Sequence, residues 1–212
     1  MPHRKKIKKS DYPAHHEKPK PMQYHPETHF SVSHVAHNLK HPEDFFDIVL
    51  SKNITLVIDY FLLLCLFWTL GSVAWSLVML GDYVIGLING LFMFAGAMLT
   101  AIFLSALLWI TSKYSHNMLS FNDSFRLTVA SLTPVYVFSF LRWFSIATMA
   151  VWLMLCFYTG FLLVTGLMKL NFTKQRARLI AVLFIIFFLA MQAFIRGEII
   201  SIVLTLLEIK YI

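Results

Sequence analysis

Polar and apolar residues are sharply segregated along this chain. Residues 1–41 are almost wholly polar, and from Ile54 onward long apolar runs follow one another with short charged interruptions. A bilayer core of about 30 Å needs roughly 20 apolar residues per helix. The first run extends from Ile54 or Tyr60 to Leu80 and stops at Gly81-Asp82; the second covers Tyr83 to Ile110. The third, Leu127 to Leu141, has only fifteen residues and contains Pro134; Phe144 to Met168 and Leu179 to Ile195 complete the series. The pattern predicts an all-α membrane protein with a bundle of five transmembrane helices over residues 54–195.

The third run is the short one. Phe125 and Arg126 at one end and Trp143 at the other would lengthen it, and local thinning of the bilayer accommodates a short segment. Only Arg142 and Trp143 separate it from the fourth run, which requires a tight helical hairpin. Beyond Ile195, Arg196-Gly197-Glu198 precede a nine-residue, mostly apolar stretch, Ile199 to Leu207, too short to cross. The fifth helix is therefore expected to end near Arg196, leaving 196–212 as a short C-terminal interfacial segment. The alternative is one long helix carrying an Arg196–Glu198 pair.

Ahead of the bundle, His41-Pro42-Glu43-Asp44 signals a helix start: proline suits the first turn, and two acids complement the positive helix end. Phe45, Phe46, Val49 and Leu50 then fall on one face, with Asp47 and Lys52 off it. Residues 42–53 thus read as an amphipathic helix lying at the membrane surface or on the bundle. Residues 1–41 carry Arg4-Lys5-Lys6-Ile7-Lys8-Lys9 and Pro13, Pro19, Pro21 and Pro26. So little apolar surface cannot offset the entropy of ordering, and a disordered basic, His-rich tail is expected. It lacks the apolar core and small-residue cleavage site of a signal peptide.

Composition excludes a soluble domain. Hydrophobic residues make up 58% and charged ones 14%, against roughly a quarter charged in soluble domains. The net charge of +7 is distributed as membrane topology demands, so no nucleic-acid partner is expected. Residues 1–53 hold nine Lys/Arg, 81–82 none, 111–126 two, 142–143 one and 169–178 four. Rich and poor segments alternate in step with five crossings, which predicts a cytoplasmic N-terminus and an external C-terminus. The Arg4–Lys9 run on that side would also attract anionic lipids of the bilayer.

Candidate chemistry is sparse. Eight of nine histidines lie in the tail, and the spacings His25/His29, His34/His37 and His37/His41 would align metal-holding pairs if the segment were helical. No cysteine or acid cluster completes such a site, so no metal or cofactor is assigned. Cys65 and Cys156 sit in apolar runs as small hydrophobes. Ser115, His116, Ser120 and Asp123 share one loop without a catalytic pattern, and no GxSxG, HExxH, P-loop or GxGxxG occurs. Asp59 lies near an interface, Asn89 and Gln192 are uncharged, and no run carries a mid-membrane acid–base pair. Gly86, Gly90, Ala97, Ala101 and Ser105 share a face suited to close packing inside the bundle or to a dimer seam.

Two stretches carry a resemblance. Leu39-Lys40-His41-Pro42-Glu43-Asp44-Phe45-Phe46 leads into the first span; Leu119-Ser120-Phe121-Asn122-Asp123-Ser124-Phe125-Arg126 precedes Ser131-Leu132-Thr133-Pro134 in the third. With five spans, the chain resembles the bacterial branch of the Yip (Ypt/Rab-interacting) family over residues 39–195. It lacks the Asp-Leu-Tyr-Gly-Pro stretch of the eukaryotic members, to which the Rab-linked trafficking role belongs. The resemblance implies a non-enzymatic bundle in a bacterial cytoplasmic membrane that binds an unidentified protein partner or organises membrane. Pro42, Phe45, Phe46, Phe121, Phe125, Arg126 and Pro134 are the candidate positions, with Phe121, Phe125 and Arg126 docking the loop beneath the bundle and Pro134 bending the third span over it. Two other readings stay open. One is a small-solute or ion transporter, metal-linked through the His-rich tail; the other is a subunit with no function outside a larger assembly.

Overall fold

The computed structural model describes residues 42–80, 83–114, 118–139 and 146–211. The tail with its basic run and histidines, Ser115-His116 and the Arg142-Trp143 turn lie outside the described residues. Six helices and no strand are found among those described: α1 (Pro42–Ser51), α2 (Ile54–Leu80), α3 (Tyr83–Lys113), α4 (Phe121–Val137), α5 (Ile146–Lys169) and α6 (Lys174–Tyr211).

Four helices are long and apolar enough to cross a membrane: Ile54–Val78, Tyr83–Lys113, Met149–Lys169 and Lys174–Ile195. Each is interrupted only where a charged or turn-forming segment follows. The α5–α6 connection shows how such a turn is made. Phe172 N–H donates to the Leu167 carbonyl at 3.1 Å, and Asn171 N–H donates to the Met168 carbonyl at 3.1 Å. Asn171 stands in the left-handed region at φ 65°. This is a Schellman ending, in which the last orphan carbonyls are satisfied and the chain reverses.

The third apolar run takes a different part from the other four. As α4 it starts six residues earlier than its apolar stretch, at Phe121, and has 17 residues, about 25 Å of rise. It packs against α1, α2, α3 and α5, so every residue from Leu127 to Tyr136 is buried. A helix enclosed by other helices needs no lipid-facing apolar surface, which is why it tolerates Ser124, Thr128, Ser131 and Thr133. Ser120 caps its N-terminus, accepting from Asp123 N–H at 3.1 Å and donating to the Asp123 carboxylate at 2.6 Å.

α6 is continuous to Tyr211. The chain does not leave the helix near Arg196, where the charged triplet suggested an end. No proline interrupts it there, and Gly197 costs a helix interior only about 1 kcal/mol.

α2 and α3 form the most extensive helix pair, and glycine sets their approach. A Cβ on Gly90 would stand 2.4 Å from Val73 Cγ2, and one on Gly86 would stand 3.5 Å from Leu77 Cδ2. The small-residue face of α3 therefore packs inside the bundle. Asn89 on the same face donates to Ser76 Oγ at 2.5 Å, tying the two helices through a polar contact that hydrocarbon cannot replace.

Candidate functional site

One end of the bundle gathers residues from four separate stretches of sequence. α1 ends at Ser51, and its last carbonyls have no helical partners of their own. Arg126, in the second turn of α4, serves the Leu50 carbonyl and that of Lys52 just past the helix end. One guanidinium nitrogen donates to the Leu50 carbonyl at 3.2 Å and to Asp123 Oδ1 at 3.1 Å, and the other donates to the Lys52 carbonyl at 2.9 Å. A cation at a helix C-terminus is favoured by the helix dipole as well as by these bonds. Its side chain is 18% exposed, so the contacts are only partly screened by solvent.

Apolar contacts complete the junction. Phe45, Phe46 and Val49 are fully buried while Asp44, Asp47 and Ser51 are exposed, so α1 lies on the bundle rather than apart from it. The Phe45 ring tilts against Tyr60 at 5.6 Å between centroids. Phe46 and Leu127 fill the notch over Gly166 of α5, where an added Cβ would meet them at 2.8 and 2.6 Å. Phe125 presents its edge to Phe61 at 5.5 Å. Lys169, at the end of α5, reaches Asp47 of α1 at 2.6 Å.

The sequence-derived positions thus fall in four places. Phe45, Phe46, Phe125 and Arg126 meet in one junction of α1, α2, α4 and α5. Phe121 stands aside: it is 41% exposed and meets Trp109 of α3 edge-to-face at 6.4 Å, while Lys113 Nζ lies over the Trp109 ring, 3.7 Å from its centroid. Pro42 opens α1. Pro134 is buried two turns above Arg126, inside a helix that continues to Val137. It offers no N–H, its carbonyl accepts from Phe138 N–H at 3.1 Å, and side chains add polar links around it. Tyr60 Oη and Thr133 Oγ1 lie 3.0 Å apart, and Tyr136 Oη donates to the Ala97 carbonyl at 2.9 Å.

Several members of this site escaped sequence reasoning. Gly166 and Lys169 lie 120 residues from α1, and no local pattern links them to it. Tyr60 and Tyr136 carried a usable signal, since a tyrosine within an apolar run has a hydroxyl that needs a partner.

Four crossing-length apolar helices around a shared core define a multi-pass integral membrane protein. Residues 33–195, more than half of the chain, match the Yip1 domain model, and the chain belongs to the Yip family. No curated protein and no solved structure matches it.

Proposed function

We propose that this is a non-enzymatic Yip-type protein of a bacterial cytoplasmic membrane, with five crossings and a cytoplasmic N-terminus, that binds a protein partner at the α1–α4 end. In this reading α4 counts as the fifth crossing, because it starts at the α1 end and climbs beside α2 to the level of Trp68, whose ring lies 4.9 Å from Tyr136. The ends bearing Leu50, Arg126 and Lys169 meet, as an alternation of crossings requires.

The observation that carries the partner reading is the exposed apolar surface beside the α1–α4 junction. Tyr114, Met118 and Phe121 are 88%, 77% and 41% exposed, at the end of α3 and the start of α4, beyond the apolar part of the spans. Large exposed apolar side chains grouped beyond the apolar part of the spans are what a binding surface needs. A photo-crosslinking residue at Met118 or Phe121, introduced in intact cells, is expected to give a discrete protein adduct. The same residue at Leu91, exposed on the side of α3, is expected to give none. Adducts with lipid alone at all three positions would refute the reading.

One observation favours transport instead. Ser124, Thr128 and Ser131 lie one and two turns apart on α4, fully buried, and their hydroxyls have no hydrogen-bond partner among the described residues. Buried hydroxyls at Ser72, Ser76, Thr100, Ser105 and Thr159 all bond to the carbonyl four residues before them. A polar stripe inside a bundle suits a hydrated path. Solute flux through proteoliposomes that falls in Thr128→Val and Ser131→Ala would replace partner binding with transport as the function.

A further inference from the structure

We propose that the groove between the last turns of α5 and the first turns of α6 binds an anionic phospholipid. The lipid phosphate would lie at Lys174 and Arg178, and an acyl chain would run along Phe161, Val164 and Met168. This goes beyond the partner reading and does not depend on it.

The groove has a volume of ≈ 590 Å³ and a two-part lining. On α5, Phe161, Val164 and Met168 are three to four residues apart, so they share one face, and Phe161 and Met168 are 60% and 46% exposed. On α6, Lys174 and Arg178 are four apart and stand together at the rim. Lys169 is the third cation of the rim, but its charge is already engaged by Asp47 at 2.6 Å. Lys174 and Arg178 have no ion-pair partner among the described residues, which leaves the rim with two uncompensated positive charges.

The apolar wall continues away from the rim. Phe157, one turn from Phe161, is 65% exposed, and Val182, one turn from Arg178, is 55% exposed. A ligand that satisfies both parts must have an anionic end and a long apolar end directed along the helices. A free anion would use the rim alone. A peptide would bring a row of backbone N–H and C=O groups to a wall whose hydroxyl, that of Thr165, already donates to the Phe161 carbonyl. Charges that served only to orient the protein would need no particular face, whereas Lys174 and Arg178 align over an apolar wall.

Each cation near an anionic headgroup is worth about fivefold in affinity, so the pair should give roughly thirtyfold. The test is native mass spectrometry of the full chain in detergent, titrated with phosphatidylglycerol or with phosphatidylcholine of the same acyl chains. Tighter binding of phosphatidylglycerol is expected in the parent. The preference should disappear in the Lys174→Gln/Arg178→Gln variant and persist in the charge-conserving Lys174→Arg/Arg178→Lys variant. It should also persist in Lys113→Gln, whose cation sits over Trp109 rather than in the groove. Equal binding of the two lipids by the parent would mean ordinary contact with surrounding lipid and would overturn the proposal. So would loss of the preference in Lys113→Gln, which would point to general charge attraction. Displacement of phosphatidylglycerol by millimolar inorganic phosphate would make this a free-anion site and would overturn it as well.

Discussion

Replacing Arg126 by methionine tests whether the guanidinium is what holds α1 to the bundle. Methionine keeps most of the apolar stem and its packing but removes every donor. Three bonds are lost. The one to Asp123 matters least, because that carboxylate is 36% exposed and regains water. The bonds to the Leu50 and Lys52 carbonyls are charge-assisted, each worth about 1.5–3 kcal/mol. Both acceptor residues are only partly buried, so their carbonyls recover some hydration once the arginine is gone. A net loss of about 2 kcal/mol is the reasonable figure, which corresponds to roughly a thirtyfold rise in the opening equilibrium of α1. Hydrogen–deuterium exchange of the protein in lipid nanodiscs reads this directly, since amides exchange in proportion to local opening. Peptides covering residues 42–53 should exchange about thirtyfold faster in Arg126→Met, while α3 peptides stay unchanged. Arg126→Lys should lie between the two, because an ammonium group can serve one carbonyl but not the forked pair. If the 42–53 peptides of Arg126→Met exchange at the parental rate, the arginine does not anchor α1. The burial of Phe45, Phe46 and Val49 would then account for the attachment alone.

Three further outcomes follow from the packing. Gly166→Val should displace Phe46 and Leu127 from their notch at a cost of about 1–3 kcal/mol, seen as a lower thermal aggregation temperature in detergent and as faster exchange in α1. Gly166→Ala should show the same effect in weaker form. Tyr136→Phe removes the bond to the Ala97 carbonyl and should destabilise the α3–α4 contact by about 1 kcal/mol, measured by unfolding in mixed detergent; no loss would mean that ring packing against Phe61 and Trp68 suffices. At the α5–α6 turn, Asn171→Gly should be neutral or slightly stabilising, whereas Asn171→Val should cost about 1–2 kcal/mol because a β-branched residue resists the left-handed region. Thermal stability of the two variants, compared side by side, decides whether that backbone geometry is maintained.

Much of this protein follows from residue order alone, because lipid imposes a simple rule. Every backbone polar group in hydrocarbon must be bonded within its own segment, so a long apolar run is a helix whatever surrounds it. That is why four spans could be read directly from residues 54–195, and why Pro42 and Gly81-Asp82 marked helix limits. The buried face of α1 was also legible, since Phe45, Phe46 and Val49 repeat at helical spacing. What the run of letters could not convey was which helix is surrounded by the others. α4 looked like a short, weak span. In the folded bundle it is the enclosed element, and burial by other helices rather than by lipid explains both its length and its hydroxyls. Arg126 was legible as a loop charge, yet its use as a cap for α1 depends on two segments more than 70 residues apart meeting at hydrogen-bond distance. Gly166, Lys169 and the groove above Lys174 belong to the same category. Local sequence determines where a helix starts and which face is apolar, through short-range sterics and hydration. Which faces meet, and what lies between them, is decided by packing the whole chain at once.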